Sequence, residues 1–158
     1  MSKCSVYKNK IKDVLFANQE LLKLIHYPYN NALKLNDIED VYALLDENIF
    51  FKMKNQTFEN EARVYLFIYI DIDGDYSFDN IKLTFDVVCH TDLWYLDDEE
   101  DRVELITEIL ENSICNSNLG IGRVKRERQR NFTINKMYEG KRIHFEFDDF
   151  SPHLKGGV

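Results

Sequence analysis

Asp71, Asp73, Asp75, Ser77 and Asp79 alternate along the chain as the oxygen ligands of a calcium loop do. An EF-hand loop also needs a glycine at its sixth position and a glutamate at its twelfth. Counted from Asp71, those places hold Tyr76 and Lys82; counted from Asp73, they hold Phe78 and Thr84. The flanks have strand character rather than helix character, so this stretch is expected to be an acidic hairpin turn that takes no metal. Cys89 and His90 are neighbours, and adjacent strand residues point to opposite faces, so they cannot form a Cys–His catalytic pair. His26, His90, His144 and His153 show no zinc-ligand spacing. Gly120-Ile121-Gly122 lacks the third glycine and the following helix of a phosphate cradle. No hydrolase elbow and no kinase motif set is present. The expectation is a protein that is not an enzyme, with no catalytic, metal or cofactor residues and no cofactor.

Two charge runs do stand out. Asp97, Asp98, Glu99, Glu100 and Asp101 are consecutive acids, and Arg123, Lys125, Arg126, Arg128 and Arg130 crowd a short stretch interrupted by Glu127. If that stretch is extended, Arg126, Arg128 and Arg130 share one face, about 7 Å apart, twice the rise of a strand. Such a ladder could contact phosphate, or guard an exposed edge strand against aggregation. It could also meet the acidic run of a neighbouring copy, a heterologous contact that closes into a ring. The chain has 20 Lys plus Arg against 28 Asp plus Glu, a net charge of −8, which weighs against a general nucleic-acid binder.

These residues must be positioned by a fold, and the pattern predicts one. From 63 to 72, Val64, Leu66, Ile68, Ile70 and Ile72 alternate with Tyr65, Phe67, Tyr69 and Asp71; from 81 to 91, Ile81, Leu83, Phe85, Val87 and Cys89 alternate with Lys82, Thr84, Asp86, Val88 and His90. Period-two alternation of β-branched and aromatic residues across a turn-rich stretch predicts a long antiparallel hairpin. An amphipathic helix is expected over 8–25, ended by Tyr27-Pro28. A second is expected after an Asn36 or Asp37 cap, burying Ile38, Val41, Tyr42 and Leu45. Ile49-Phe50-Phe51 reads as a short strand or buried linker, and 52–60 as a loop. The acidic run is expected to open a helix over 98–116, its negative charge complementing the helix dipole, with Val103, Ile106, Leu110 and Ile114 as the core stripe. A basic strand over 121–130, a short one over 132–134, a turn at Tyr138-Glu139-Gly140-Lys141 and a strand over 141–147 complete the pattern. The fold class is therefore α+β: a mainly antiparallel sheet built on the hairpin, with N-terminal helices and one later helix packed on it. All 158 residues are expected to form one domain with a frayed tail over 151–158. Cys4, Cys89 and Cys115 form no C-x-x-C motif and suggest reduced thiols. The start, Met1-Ser2-Lys3-Cys4, has no apolar signal region, and no apolar run is long enough to span a membrane, so a soluble product is expected.

Several of these stretches also resemble a known family. Leu21-Leu22-Lys23-Leu24-Ile25 with Tyr27, then Glu47-Asn48-Ile49, then Phe85-Asp86-Val87-Val88-Cys89-His90-Thr91-Asp92-Leu93-Trp94, then Arg102 and Gly120-Ile121-Gly122, are similar in order to small head–tail joining proteins of tailed phages of Gram-positive-type hosts. The chain departs from that pattern in its acidic run, where the family has a glycine-containing turn, and in its arginine-rich strand. The resemblance implies a virion structural protein of the neck, a tail terminator or head–tail connector assembled in the host cytoplasm. Its implied partners are itself, in a six-fold ring, and the tail tube and head connector proteins; DNA passes through the lumen, and no membrane is involved. Two other classes compete. A small acidic immunity- or antitoxin-like module would bind a basic partner as a monomer or dimer. A metal-dependent enzyme using the aspartate loop would be stabilised by calcium or magnesium.

Overall fold

A computed structural model describes residues 2–51, 61–74, 79–116 and 124–149. Helices α1 (Lys3–Phe16), α2 (Gln19–His26), α3 (Leu44–Glu47) and α4 (Arg102–Asn116) accompany a five-stranded sheet of order β1-β2-β3-β5-β4. Its strands are β1 (Ile49–Phe50), β2 (Val64–Gly74), β3 (Asp79–His90), β4 (Val124–Thr133) and β5 (Tyr138–Asp149). Every pairing is antiparallel except that of β1 with β2. The architecture is the expected α+β one. β2 and β3 pair throughout, from Val64 opposite Cys89 to Gly74 opposite Asp79, so the hairpin is longer than its alternation suggested.

The two faces of the sheet have different tasks. Leu66, Ile68, Leu83, Phe85, Val87, Ile143, Phe145 and Phe147 face the helices and bury against Ile11 and Leu15 of α1, Leu21, Leu22 and Ile25 of α2, and Ile106 and Leu110 of α4. Burying such side chains is the main favourable term in folding. On the open face, Phe50, Tyr65, Phe67, Val88 and Tyr138 form a second, smaller apolar cluster at one end, and polar residues fill the rest.

Several expectations need correction, each for a local reason. The helix foreseen over 8–25 is two helices, because Asn18 falls on the apolar stripe three residues after Leu15. Its side chain accepts the Leu21 N–H at 3.0 Å and caps α2 instead. The second expected helix does not start at 36–37. Gln19 accepts the Ile38 N–H at 2.8 Å and donates to its carbonyl at 3.0 Å, holding that stretch open. A 3-10 turn begins at Val41, capped by Asp40, and leads into α3; Tyr42 is exposed, not buried. β4 absorbs the basic strand and the short one after it into a single strand. The turn lies earlier than Tyr138: Asn135 accepts the N–H groups of Met137 and Tyr138 at 2.8 and 3.0 Å. Gly140 is inside β5, where a Cβ would come within 2.6 Å of both the Phe132 ring and the Val87 carbonyl. Its glycine serves close packing rather than a turn. The acidic run does not open α4, which begins only at Arg102. The loop expected over 52–60, the 75–78 part of the turn, residues 121–123 of the expected basic strand and the tail lie outside the described residues.

Candidate interaction surface

The arginine ladder is on the sheet's last strand. β4 lies outside β5, with Arg126 opposite Glu146, Arg128 opposite His144 and Arg130 opposite Arg142. Directly opposed residues of an antiparallel pair share a face, so Arg128 and Arg130 belong to the open face. Arg128 and Arg130 are exposed. Arg123 lies outside the described residues, and Lys125 falls in β4 near a register shift between Val124 and Arg126.

Inward from that edge the open face is a lattice of cross-strand polar pairs. Arg142 grips Asp86 with both nitrogens of its fork, at 2.7 and 2.8 Å. The buried Asp86 carboxylate raises the guanidinium pKa further, against the opposing effect of burial. Thr84 and His144 share a hydrogen bond at 2.8 Å, and Asn80 donates to Asp148 at 3.0 Å and Glu146 at 3.3 Å. Lys82 stands 3.9 Å from Asp73. Cys89 faces the helices, and burial pushes its thiol up to about 12. That leaves no reactive thiolate. His90 faces the other way, edge-on to Tyr138.

The acidic run is a tight turn with internal duties. Asp97 donates its N–H to the Asn30 carbonyl at 3.0 Å and pairs with Lys34 at 2.6 Å. Asp98 accepts the Glu100 N–H at 3.1 Å, and Glu99 takes the left-handed conformation with φ of 68°. That conformation cannot belong to a right-handed helix, which is why α4 begins only at Arg102. Asp101 supplies the cap, accepting the Glu104 N–H at 3.0 Å and the Trp94 indole at 2.9 Å. Asp101 borders a cleft whose other wall is Asn131, Phe132 and Thr133 of β4, beyond the arginines. The side chains of Glu99 and Glu100 remain exposed.

Arg102 was not among the candidate residues, yet it is fully buried. Its nitrogens donate to four carbonyls: Leu24 at 2.6 Å, Tyr27 at 3.2 Å, Tyr29 at 2.6 Å and Leu93 at 2.8 Å. Burial lowers its pKa. The side chain thereby ties the end of α2 and the loop after it to the start of α4.

Residues 18–147 match the family model YomW. The chain belongs to the YomW family, which is phage-associated. No curated protein matches the chain. The matched stretch begins at the Asn18 cap and ends inside β5, so it covers the whole sheet through Phe147, Arg102 and both charge runs, and leaves out α1. Among the described residues no cluster of His, Cys, Asp or Glu could hold a metal ion. No helix among them is long and apolar enough to cross a membrane.

Proposed function

We propose that this YomW-family chain is a structural virion protein of the phage neck. Six copies form a ring that terminates the tail tube or joins it to the head connector, with DNA passing through the lumen and no reaction catalysed. The observation that supports this reading best is the exposed arginine edge of β4 on a sheet whose inner polar rows are already paired. A surface that repeats charge and keeps Arg128 and Arg130 exposed suits contact with a neighbouring copy. Exposed pairs contribute only about 0–1 kcal/mol each. The charges therefore select register and neighbour, while backbone and apolar contacts supply most of the affinity. The acidic turn at 97–101 is one candidate for the other side of that contact. Negative-stain microscopy of the purified chain should show rings, and mass spectrometry should find it in virions. A chain absent from virions, and monomeric at every concentration, would sink this reading.

One observation favours a second class. Tyr95 is 62% exposed and Tyr29 58% exposed beside the acidic turn. An aromatic and acidic surface of that kind suits an immunity- or antitoxin-like module with a basic partner. A stable monomer that captures a basic protein one to one would support that alternative.

A further inference from the structure

The sheet ends in two edges of opposite charge. One is β4, with its arginines. The other is the outer half of β2, since β1 covers only Leu66 and Phe67. Over 68–74, β2 pairs only with β3 among the described residues. Leu66 gives its N–H to the Asn48 carbonyl on the β1 side at 2.8 Å. By the two-residue period of a strand, Ile68, Ile70 and Ile72 turn their N–H and C=O groups to that same outer side. The open-face residues along this edge are Tyr69, Asp71 and Asp73, and both aspartates are exposed. Their charged neighbour on that face is Lys82 of β3, opposite Asp71 and 3.9 Å from Asp73.

We propose that the β4 edge of one copy pairs, antiparallel, with the 68–74 edge of the next, so that one sheet runs on through successive copies. This deepens the ring reading and rests on it for closure, because it names the two surfaces in contact. Direction agrees: β2 and β5 run one way and β3 and β4 the other, so β4 meets the next β2 antiparallel, with all helices kept on one side. Length agrees as well. Laying Thr133 opposite Ile68, where β1 leaves off, sets Arg130 opposite Asp71 and Arg128 opposite Asp73. Charge agrees along a row of the sheet: Asp71, Lys82, Glu146 and Arg126 follow one another across β2, β3, β5 and β4. Within one copy the row alternates in sign and ends opposite to how it began. Antiparallel pairing of two β4 edges about a two-fold axis centred anywhere between residues 126 and 130 instead sets arginine against arginine. Like charges directly opposed are destabilising, so those registers are disfavoured.

The test uses the full-length chain in sedimentation and negative-stain microscopy at low and high salt. Arg128→Glu with Arg130→Glu, and separately Asp71→Arg with Asp73→Arg, should each reduce assembly at least tenfold while circular dichroism and urea melts stay native. Combining all four changes in one chain should restore assembly. A chain carrying Asp73→Cys and Arg128→Cys should form disulfide-linked ladders of copies under mild oxidation. Unimpaired assembly of both charge variants overturns the edge pairing and leaves the ring reading standing. So does rescue of the arginine variant by reversing 97–101 rather than Asp71 and Asp73. Open filaments that depend on both edges support the pairing and remove the ring. A native chain that never assembles overturns both.

Discussion

Arg102 brings a permanent charge into the core and meets it with carbonyl oxygens. Two of them, Leu24 and Tyr27, lie at the C-terminal end of α2, where the helix dipole is negative, so the cation is favoured there. An unpaired buried ion would be costly, and the guanidinium fork spreads its donors over several acceptors as an ammonium cannot. Arg102→Ala leaves the buried Leu24 and Leu93 carbonyls without their donor and a cavity where the long side chain was, and should cost about 3–5 kcal/mol in urea melts; Arg102→Lys should recover only part of that. A loss below 1 kcal/mol for the alanine variant would mean the clamp is dispensable. Glu99 is the opposite case, a residue whose own backbone opposes it. Its left-handed conformation costs a side-chain-bearing residue about 1–2 kcal/mol, partly offset for glycine by chain entropy. Glu99→Gly should therefore raise stability by about 0.5–1 kcal/mol, and a lower melting temperature would contradict this. Neither residue was visible as such in the sequence. Glu99 sat in a run that read as a helix start. Arg102 stands four residues before Ile106, on the α4 core stripe, and that spacing was the one available signal that its side chain turns inward.

At the level of elements, what was legible is what periodicity alone determines. β2 and β3 were plain because every second residue is apolar over nine positions in each, 64–72 and 81–89. Phe85 is fully buried at the centre of that hairpin, edge-on to Phe145 with ring centroids 6.0 Å apart. Phe85→Ala should cost about 3–5 kcal/mol; a loss under 1 kcal/mol in denaturant melts would show that this face is not the core. The misplaced elements are those where one polar side chain overrides the pattern. Asn18 breaks the N-terminal helix by capping its second half. Gln19 holds Ile38 out of a helix, and Asn135 forms the β4–β5 turn that Gly140 had suggested elsewhere. The arginine strand was foreseen as extended, and it is. Its place at the sheet's edge follows from strand order, which depends on pairing between distant segments and leaves no local trace.

For the molecule as a whole, a net charge of −8 disfavours indiscriminate self-association, so any assembly has to find the basic edge. Six copies joined edge to edge, with four strands from each at a spacing of about 4.8 Å, would close a belt about 115 Å round and about 37 Å across; strand tilt widens it. Such a belt requires monomers that keep both faces of the sheet intact. Cys89 lies on the helix side and Tyr138 on the open side at the same end of the sheet, with Cys89 opposite Glu139 and His90 opposite Tyr138. Burial pushes both groups up to about 12, and the Tyr138 hydroxyl donates to the Glu61 carbonyl at 2.8 Å. In the unfolded chain the thiol ionises near its ordinary pH of about 8.5–9 and the phenol near about 10. Above those values the unfolded state binds fewer protons than the folded one, so stability falls as pH rises. It should be at its full value below about pH 8.5 and decline toward pH 12, by about 1 kcal/mol for the thiol alone between pH 9 and 10. Cys89→Ala should be less stable at neutral pH because it leaves a small cavity, yet show a flatter slope between pH 9 and 10. Urea melts of both chains across that interval decide it: equal slopes would mean that the Cys89 thiol ionises as readily folded as unfolded, and that the helix side of the sheet is open to water there.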